Sequence, residues 1–313
     1  MKIYFAIDGG TTNTRVNLVA DGKITDTVKI NIGARKSIGG NSELKEAVKK
    51  AICDLLKKHN LSEDDVICAI ASGMITSEYG LCKLDHLVAP VGIAELHNAV
   101  KKVELPEISK IPFVFIPGVK LCGKSLDEND MMRGEETELM GLSDGGECVY
   151  VLPGSHSKLV TTDKEGRIAD FGSMLTGELI AALVSSTILK DSVDFSVENI
   201  NSEYLLKGYN YCETHGVNAS LFKVRVLRNL LGATAEQTYN FFMGVALHDE
   251  IEQIAKCKEN KVVIGGRRQI KEAMGELLRN VTDKQITELS ESEVDSSTVK
   301  GMIRVYEYGD TKI

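Results

Sequence analysis

The sequence predicts an α/β protein made of two versions of one domain, and three observations lead there. Short apolar runs alternate with amphipathic helical stretches along the chain. One opening pattern, strand, polar glycine turn, strand, turn, strand, occurs near residue 3 and returns near residue 148. The 313 residues, 43 % hydrophobic and 26 % charged, suffice for one large or two ordinary globular domains.

The elements follow in order. Ile3 to Ile7 is an apolar run leading into Asp8-Gly9-Gly10-Thr11-Thr12-Asn13-Thr14-Arg15. Val16 to Ala20 is a second strand, Asp21-Gly22 a turn and Lys23 to Ile30 a third strand, which together make a β-meander. Ser42 is the expected cap of a helix whose apolar face is Leu44, Val48, Ile52, Leu55 and Leu56. Val66 to Ala71 reads as a buried strand ending in Ser72-Gly73-Met74-Ile75. Phe113 to Ile116 reads as another, and Asp130 to Leu142 as a helix. Cys148 to Leu152 then restarts the pattern and runs into Pro153-Gly154-Ser155-His156-Ser157-Lys158. Thr14-Arg15-Val16 corresponds to Ser157-Lys158-Leu159, and Gly22-Lys23-Ile24-x-Asp26 to Gly166-Arg167-Ile168-x-Asp170. Helices are expected near 177–190, 220–231, 234–257 and 267–279, with a buried strand Lys261 to Ile264 ahead of Gly265-Gly266.

Composition removes several classes of function. A net charge of −8 and the absence of Trp exclude the basic, aromatic-rich surface of a nucleic-acid binder. Seven cysteines, an odd number with no CxxC pair, read as reduced thiols of a cytoplasmic protein. The six histidines are scattered, so a structural zinc site is not expected. The first apolar run is too short for a signal peptide or a membrane span, so no membrane partner is expected.

Two loops carry the candidate chemistry. The Gly9-Gly10-Thr11-Thr12-Asn13 turn gathers backbone N–H groups and hydroxyls suited to phosphate oxygens, and Asp8 before it can hold Mg²⁺ directly or through water. Gly154-Ser155-His156-Ser157-Lys158 has the same small polar character at the corresponding place in the second half. Gly118 to Ser125 matches GxxxxGK[ST], but its bulky Val-Lys-Leu-Cys and the acids that follow argue against a phosphate loop. Glu135 and Glu136 at a helix start are either capping charges or the carboxylate that phosphoryl transfer to a hydroxyl requires, Glu135 being the first choice.

Asp8 to Arg15, Ser72-Gly-Met-Ile75, Met132-Arg-Gly-Glu-Glu-Thr137, Pro153 to Lys158 and Thr176-Gly-Glu-Leu179 together resemble the 2-dehydro-3-deoxygalactonokinase family over about residues 5–270. The resemblance implies an actin-like ATPase fold of two ribonuclease-H-like domains, 1–142 and 143–313, with a nucleotide cleft between them. It implies ATP- and Mg²⁺-dependent phosphorylation of 2-dehydro-3-deoxy-D-galactonate on its terminal (C6) hydroxyl in galactonate catabolism. Phosphate contacts would fall on residues 8–15 and 153–158, among them Gly9 to Asn13 and Gly154 to Lys158, adenosine contacts on Gly265 and Gly266, and the base on Glu135. The substrate's carboxylate would need Arg15 or Arg133, with Ser72, Gly73 and Met74 lining its place. His156 would be a loop donor. The family's first motif usually has Trp where this chain has Gly9, which predicts unfilled volume beside the first loop, and Ser155 stands where Thr is usual. The expected partner is a small sugar acid, with the oligomeric state left open. Two other readings remain at this point: a kinase for another sugar or keto-sugar acid, and an actin-like ATPase without a sugar substrate.

Overall fold

Alternation along the first strand sets up the first sheet. In β1 (Ile3–Gly9), Ile3, Phe5 and Ile7 enter one hydrophobic core while Tyr4, Ala6 and Asp8 take the opposite face. β2 (Thr14–Ala20) and β3 (Lys23–Ile30) complete the expected meander. The computed structural model describes residues 1–37 and 39–309. After β3 come α1 (Ser42–Lys58), β4 (Cys68–Gly73), β5 (Leu87–Val88), α2 (Ile93–Ala99), β6 (Lys101–Val103), β7 (Phe113–Phe115), β8 (Val119–Lys120), β9 (Met131–Met132) and α3 (Glu135–Leu142). The second series is β10 (Cys148–Leu152), β11 (Ser157–Thr162), β12 (Ile168–Met174), α4 (Thr176–Ser186), α5 (Ser202–His215), α6 (Val217–Asn229), α7 (Ala235–Ala246), α8 (His248–Lys256), β13 (Lys261–Ile264), α9 (Arg268–Val281), β14 (Gln285–Glu288) and α10 (Glu291–Tyr306).

The duplication appears in the sheets. One has the order β3-β2-β1-β4-β7-β6 and the other β12-β11-β10-β13-β14. In each, the second strand runs antiparallel to the first, and two later strands then add in parallel: β4 and β7 after β1, β13 and β14 after β10. β5, β8 and β9 form a separate three-stranded sheet. By internal contacts the chain divides into two units. Unit 1 is Met1–Gly146 with Lys164–Asp170 and the chain from Asp295 onward. Unit 2 is Glu147–Asp163 with Phe171–Val294. This division exchanges segments that the halves 1–142 and 143–313 keep apart.

In unit 1, Leu44, Val48, Ile52 and Leu55 of α1 pack on the Phe5, Ile7 and Phe113 face of the sheet. The other face carries Tyr4, whose hydroxyl donates to Glu307 Oε1 at 2.8 Å and whose ring meets Tyr306 edge-on at 5.7 Å. α3 and the middle of α10 touch through glycines: a Cβ on Gly141 would overlap the Ser297 carbonyl, and one on Gly301 the Thr137 carbonyl. Arg304 Nη1 then donates to Met140 O at 2.6 Å and Ser143 O at 3.0 Å, satisfying carbonyls at the end of α3. In unit 2, α5 and α7 approach in the same manner, with Gly208 on the Phe241 carbonyl and Gly244 on that of Leu205.

Several sequence expectations change. The helix expected over 130–142 begins only at Glu135, because Met131 and Met132 pair antiparallel with β8. Ser42 opens α1 as its first helical residue; Asn41 precedes it, with Nδ2 donating to Gly80 O at 2.8 Å. The stretch 234–257 is two helices broken at Leu247. α5, β14 and α10 were not anticipated. In agreement with the sequence, the GxxxxGK[ST] match does not form a phosphate loop: Val119 and Lys120 are strand, and only a 3₁₀ turn, Leu126–Glu128, follows Ser125.

The α3–α10 contact predicts a specific sensitivity. Gly301→Ala should cost about 1–3 kcal/mol through overpacking. A lowered denaturant midpoint at constant slope checks this, and an unchanged midpoint contradicts it.

Candidate active site

β1 and β4 run parallel with Asp8 beside Ser72 and Gly9 beside Gly73, at the strand ends where open α/β sheets bind ligands. Two glycines there have backbones that other residues rarely adopt: Gly73 at φ +82° and Gly134 at φ +117°. A Cβ on Gly73 would lie 2.5 Å from Gly9 O and 3.5 Å from Asp8 Oδ1, and one on Gly134 would lie 3.3 Å from Gly73 Cα. Their lack of side chains lets the first turn of α3 descend onto the strand ends. Gly9 is buried as well, and a Cβ there would stand 2.6 Å from Ile75 Cβ. The unfilled volume expected at Gly9 is therefore absent, because Ile75 occupies the space.

The first loop is braced from behind. Gly10 N–H donates to Asn13 O at 2.8 Å and closes the turn. Ala34 and Arg35 N–H donate to Gly10 O and Thr11 O at 3.1 and 3.0 Å. Asn13 Nδ2 donates to Thr12 Oγ1 at 3.0 Å, while Thr11 and Thr12 stay exposed.

Carboxylates gather around this loop. Arg15, the cross-strand partner of Asp8, places Nη1 3.3 Å from Asp8 Oδ2. Burial raises the Asp8 carboxyl above its ordinary value, Arg15 opposes this and Glu135 adds to it. Glu135 Oε2 accepts the Arg133 backbone N–H at 3.0 Å. Glu138, which the sequence reading passed over, lies one turn along the same face of α3. Its carboxyl is pushed up to about 8, first by burial and then by Glu135 and Asp8, against Arg15. The i, i+3 spacing of Glu135 and Glu138 is the signal that could have found it. Glu136 behaves differently. It is fully buried, both its oxygens accept Gly134 N–H at 3.0 and 2.8 Å, and Thr137 Oγ1 donates to it at 3.0 Å. It caps its own helix and is closed to substrate.

Two expected substrate contacts also change. Arg133 turns its guanidinium inward: Nη1 donates to Thr76 O at 2.9 Å and Thr76 Oγ1 at 2.6 Å, and Nη2 to Leu84 O at 3.0 Å and His86 Nδ1 at 3.2 Å. Four of its five N–H donors are thereby taken, so it is not a free cation for a carboxylate. The Ser72 hydroxyl is fully buried and finds no hydrogen-bond partner. Gly73 backs the Asp8 carboxylate, and Met74, half-buried, opens the 3₁₀ turn Met74–Thr76.

In unit 2 the corresponding loop follows β10. Gly154, Ser155 and His156 are exposed, whereas Ser157 and Lys158 are buried. Ser157 Oγ donates to Glu250, which also accepts Thr176 Oγ1 at 2.7 Å, and Lys158 Nζ donates to Ser173 Oγ. The side chains of Ser157 and Lys158 thus hold the loop in place, buried within unit 2. Glu250, 93 residues from Ser157, had no local signal in the sequence. Glu178 N–H donates to Ser155 O at 3.0 Å, and His156 Nε2 lies 3.5 Å from Glu178 Oε1. Gly265 N–H donates to Val151 O at 2.9 Å, and a Cβ on Gly266 would stand 2.8 Å from Pro153 O. The glycine pair therefore sits directly against the loop.

Burial, and then Glu135, push the Glu136 carboxyl up to about 8 from an ordinary 4.5. The folded chain holds this proton over a range where the unfolded chain has released it, so stability falls as pH rises through that window. Glu136→Gln should flatten this slope and raise stability at pH 8 relative to the parent. Denaturant melts across the window check it, and an unaltered slope contradicts it.

The model of the family 2-keto-3-deoxy-galactonokinase matches residues 8–305. The 2-dehydro-3-deoxygalactonokinase of Escherichia coli (strain K12) is 27 % identical over 252 residues, covering 79 % of this chain and 79 % of that protein. A crystal structure assigned as a 2-dehydro-3-deoxygalactonokinase from Sinorhizobium meliloti superposes with a TM-score of 0.76 at 18 % identity, over 99 % of this chain and 100 % of that one. The activator of 2-hydroxyisocaproyl-CoA dehydratase from Clostridium difficile, with bound ADPNP, superposes with a TM-score of 0.51 at 13 % identity, over 99 % and 97 %. These likenesses show an actin-like fold. With the family model matching nearly the whole length, the chain belongs to the 2-keto-3-deoxy-galactonokinase family.

Proposed function

We propose that this chain transfers the γ-phosphoryl group of ATP to the terminal C6 hydroxyl of 2-dehydro-3-deoxy-D-galactonate, a step of galactonate breakdown in the cytoplasm. Family membership supports the reaction. The observation that carries the mechanism is the Glu135 carboxylate, half-buried at the start of α3 within electrostatic reach of Asp8. No described helix is long and apolar enough to cross a membrane.

Glu135 is the base. Its carboxylate accepts the proton as the sugar oxygen forms a bond to the γ-phosphorus and the bond to the β-bridging oxygen breaks, leaving ADP. The Arg133 N–H holds Glu135 Oε2 in place for this. Asp8 suits Mg²⁺: its carboxylate is half-buried, crowded by Glu135, and paired with a cation only at 3.3 Å. Magnesium needs just one or two carboxylates because it keeps water and phosphate oxygens as its other ligands, and when bound it offsets charge on the transferring group. Thr11, Thr12 and Ser155 present exposed hydroxyls for phosphoryl oxygens. Gly265 and Gly266, packed against the second loop, are the proposed adenosine contacts. With Arg133 occupied, exposed Arg15 is the cation left for the substrate carboxylate or a phosphate.

Glu135→Gln should bind ATP normally and lose about 10²–10⁴ in kcat, whereas near-native turnover contradicts the assignment. A coupled ADP assay over sugar acids, sugars and N-acetyl sugars tests the substrate. ADP formed only with the 2-dehydro-3-deoxy acid is the expected result. Faster turnover of another acceptor, or the same slow rate without any, contradicts it.

A further inference from the structure

We propose that Thr76 and Arg133 are positioning residues that set the Asp8 strand end and the Glu135 helix start at their working separation. The inference rests on the kinase reading above and adds a residue, Thr76, that no sequence motif pointed to.

The connection is a short chain of hydrogen bonds. Thr76 Oγ1 accepts from Arg133 Nη1 at 2.6 Å and donates its own proton to Gly73 O at 2.9 Å. Gly73 is the last residue of β4, and a Cβ on it would lie 3.5 Å from Asp8 Oδ1. At the other end, the Arg133 backbone N–H donates to Glu135 Oε2 at 3.0 Å. One hydroxyl therefore joins the strand end beside Asp8 to the residue that orients the base. Thr76 is fully buried, so its hydroxyl has no exchange with water and must keep this donor and this acceptor.

The remaining donors of Arg133 strengthen the same link. Nη1 also reaches Thr76 O, and Nη2 reaches Leu84 O and His86 Nδ1. The guanidinium thus pins residues 76–86 to the strand-like approach of α3. His86 stays neutral and able to accept, because burial, followed by the Arg133 charge, draws its pKa down to about 4. Ile75, which fills the space over Gly9, lies in the 3₁₀ turn that this clamp holds. A planar fork with fixed donors suits four acceptors at set positions, and a lysine ammonium would not reproduce it.

Steady-state kinetics of Thr76→Val and Arg133→Ala test the proposal. A misplacement of about 1 Å is enough to cost about 10² in rate, so Thr76→Val, nearly isosteric, should lower kcat by about that factor or less while the KM for ATP stays at its parent value. Arg133→Ala should lower kcat further and regain part of it with added methylguanidinium but not with methylammonium. Native kcat in Thr76→Val overturns the proposal. So does a loss in Arg133→Ala confined to the KM for the sugar acid, because that would put the guanidinium on substrate. The parent enzyme's acceptor profile judges the kinase reading separately. The variant-to-parent ratio on the best acceptor, or on water if none is used, judges the positioning role.

Discussion

Three main-chain segments meet where Gly9, Gly73 and Gly134 leave no room for side chains. The end of β1, the end of β4 and the start of α3 come within van der Waals contact there, and a single methyl group on Gly73 would press on Gly9 O and come into contact with the Asp8 carboxylate. The contacts of α3 at both of its ends keep that approach in place. α3 is held down from its far end by the Gly141 and Gly301 contact and by Arg304 on its last carbonyls. It is held at its near end by the inward-facing Arg133. The result is a helix N-terminus, with its favourable field for negative charge, set over a strand-end aspartate.

Such an arrangement is costly for carboxylates and useful for phosphoryl transfer. Asp8 and Glu138 sit near Glu135 with Arg15 as the exposed counter-charge, and burial raises the Asp8 and Glu138 carboxyls above their ordinary values. A cation and an attacking hydroxyl would each relieve part of that crowding, which gives the cluster a reason to exist apart from stability. The protein is acidic overall, so under the proposed function anionic ATP and sugar acid would be drawn by local hydroxyls, backbone donors and Arg15, not by the global field. The loop of unit 2 follows another design. Buried Glu250 ties Ser157 and Thr176 together and leaves Gly154, Ser155 and His156 at the surface.

The meander, the duplication and both polar loops could be read from sequence because they depend on neighbours a few residues apart. The Asp8 to Arg15 pairing across one hairpin belongs to the same class. What could not be read depends on distant partners. Arg133 resembled a substrate cation because its acceptors, at Thr76, Leu84 and His86, lie 47 to 57 residues away. Ser157 and Lys158 resembled phosphate ligands because nothing nearby foretold Glu250 or Ser173. Helical periodicity alone starts α3 five residues early, at Asp130, because pairing of Met131 and Met132 with β8 is decided by the sheet. Gly9 leaves no void, because Ile75, 66 residues away, fills its place.

If the contact of Gly9, Gly73 and Gly134 sets the geometry for phosphoryl transfer, a methyl group added at Gly73 should disturb transfer before it disturbs folding. A residue with a Cβ at φ +82° carries strain of about 1–3 kcal/mol and must push β4 away from β1. Single-turnover phosphoryl transfer from ATP to the sugar acid, measured on variant that melts cooperatively and still binds ATP, should be slowed by about 10² or more. Transfer at the parent rate in such a variant would contradict the account.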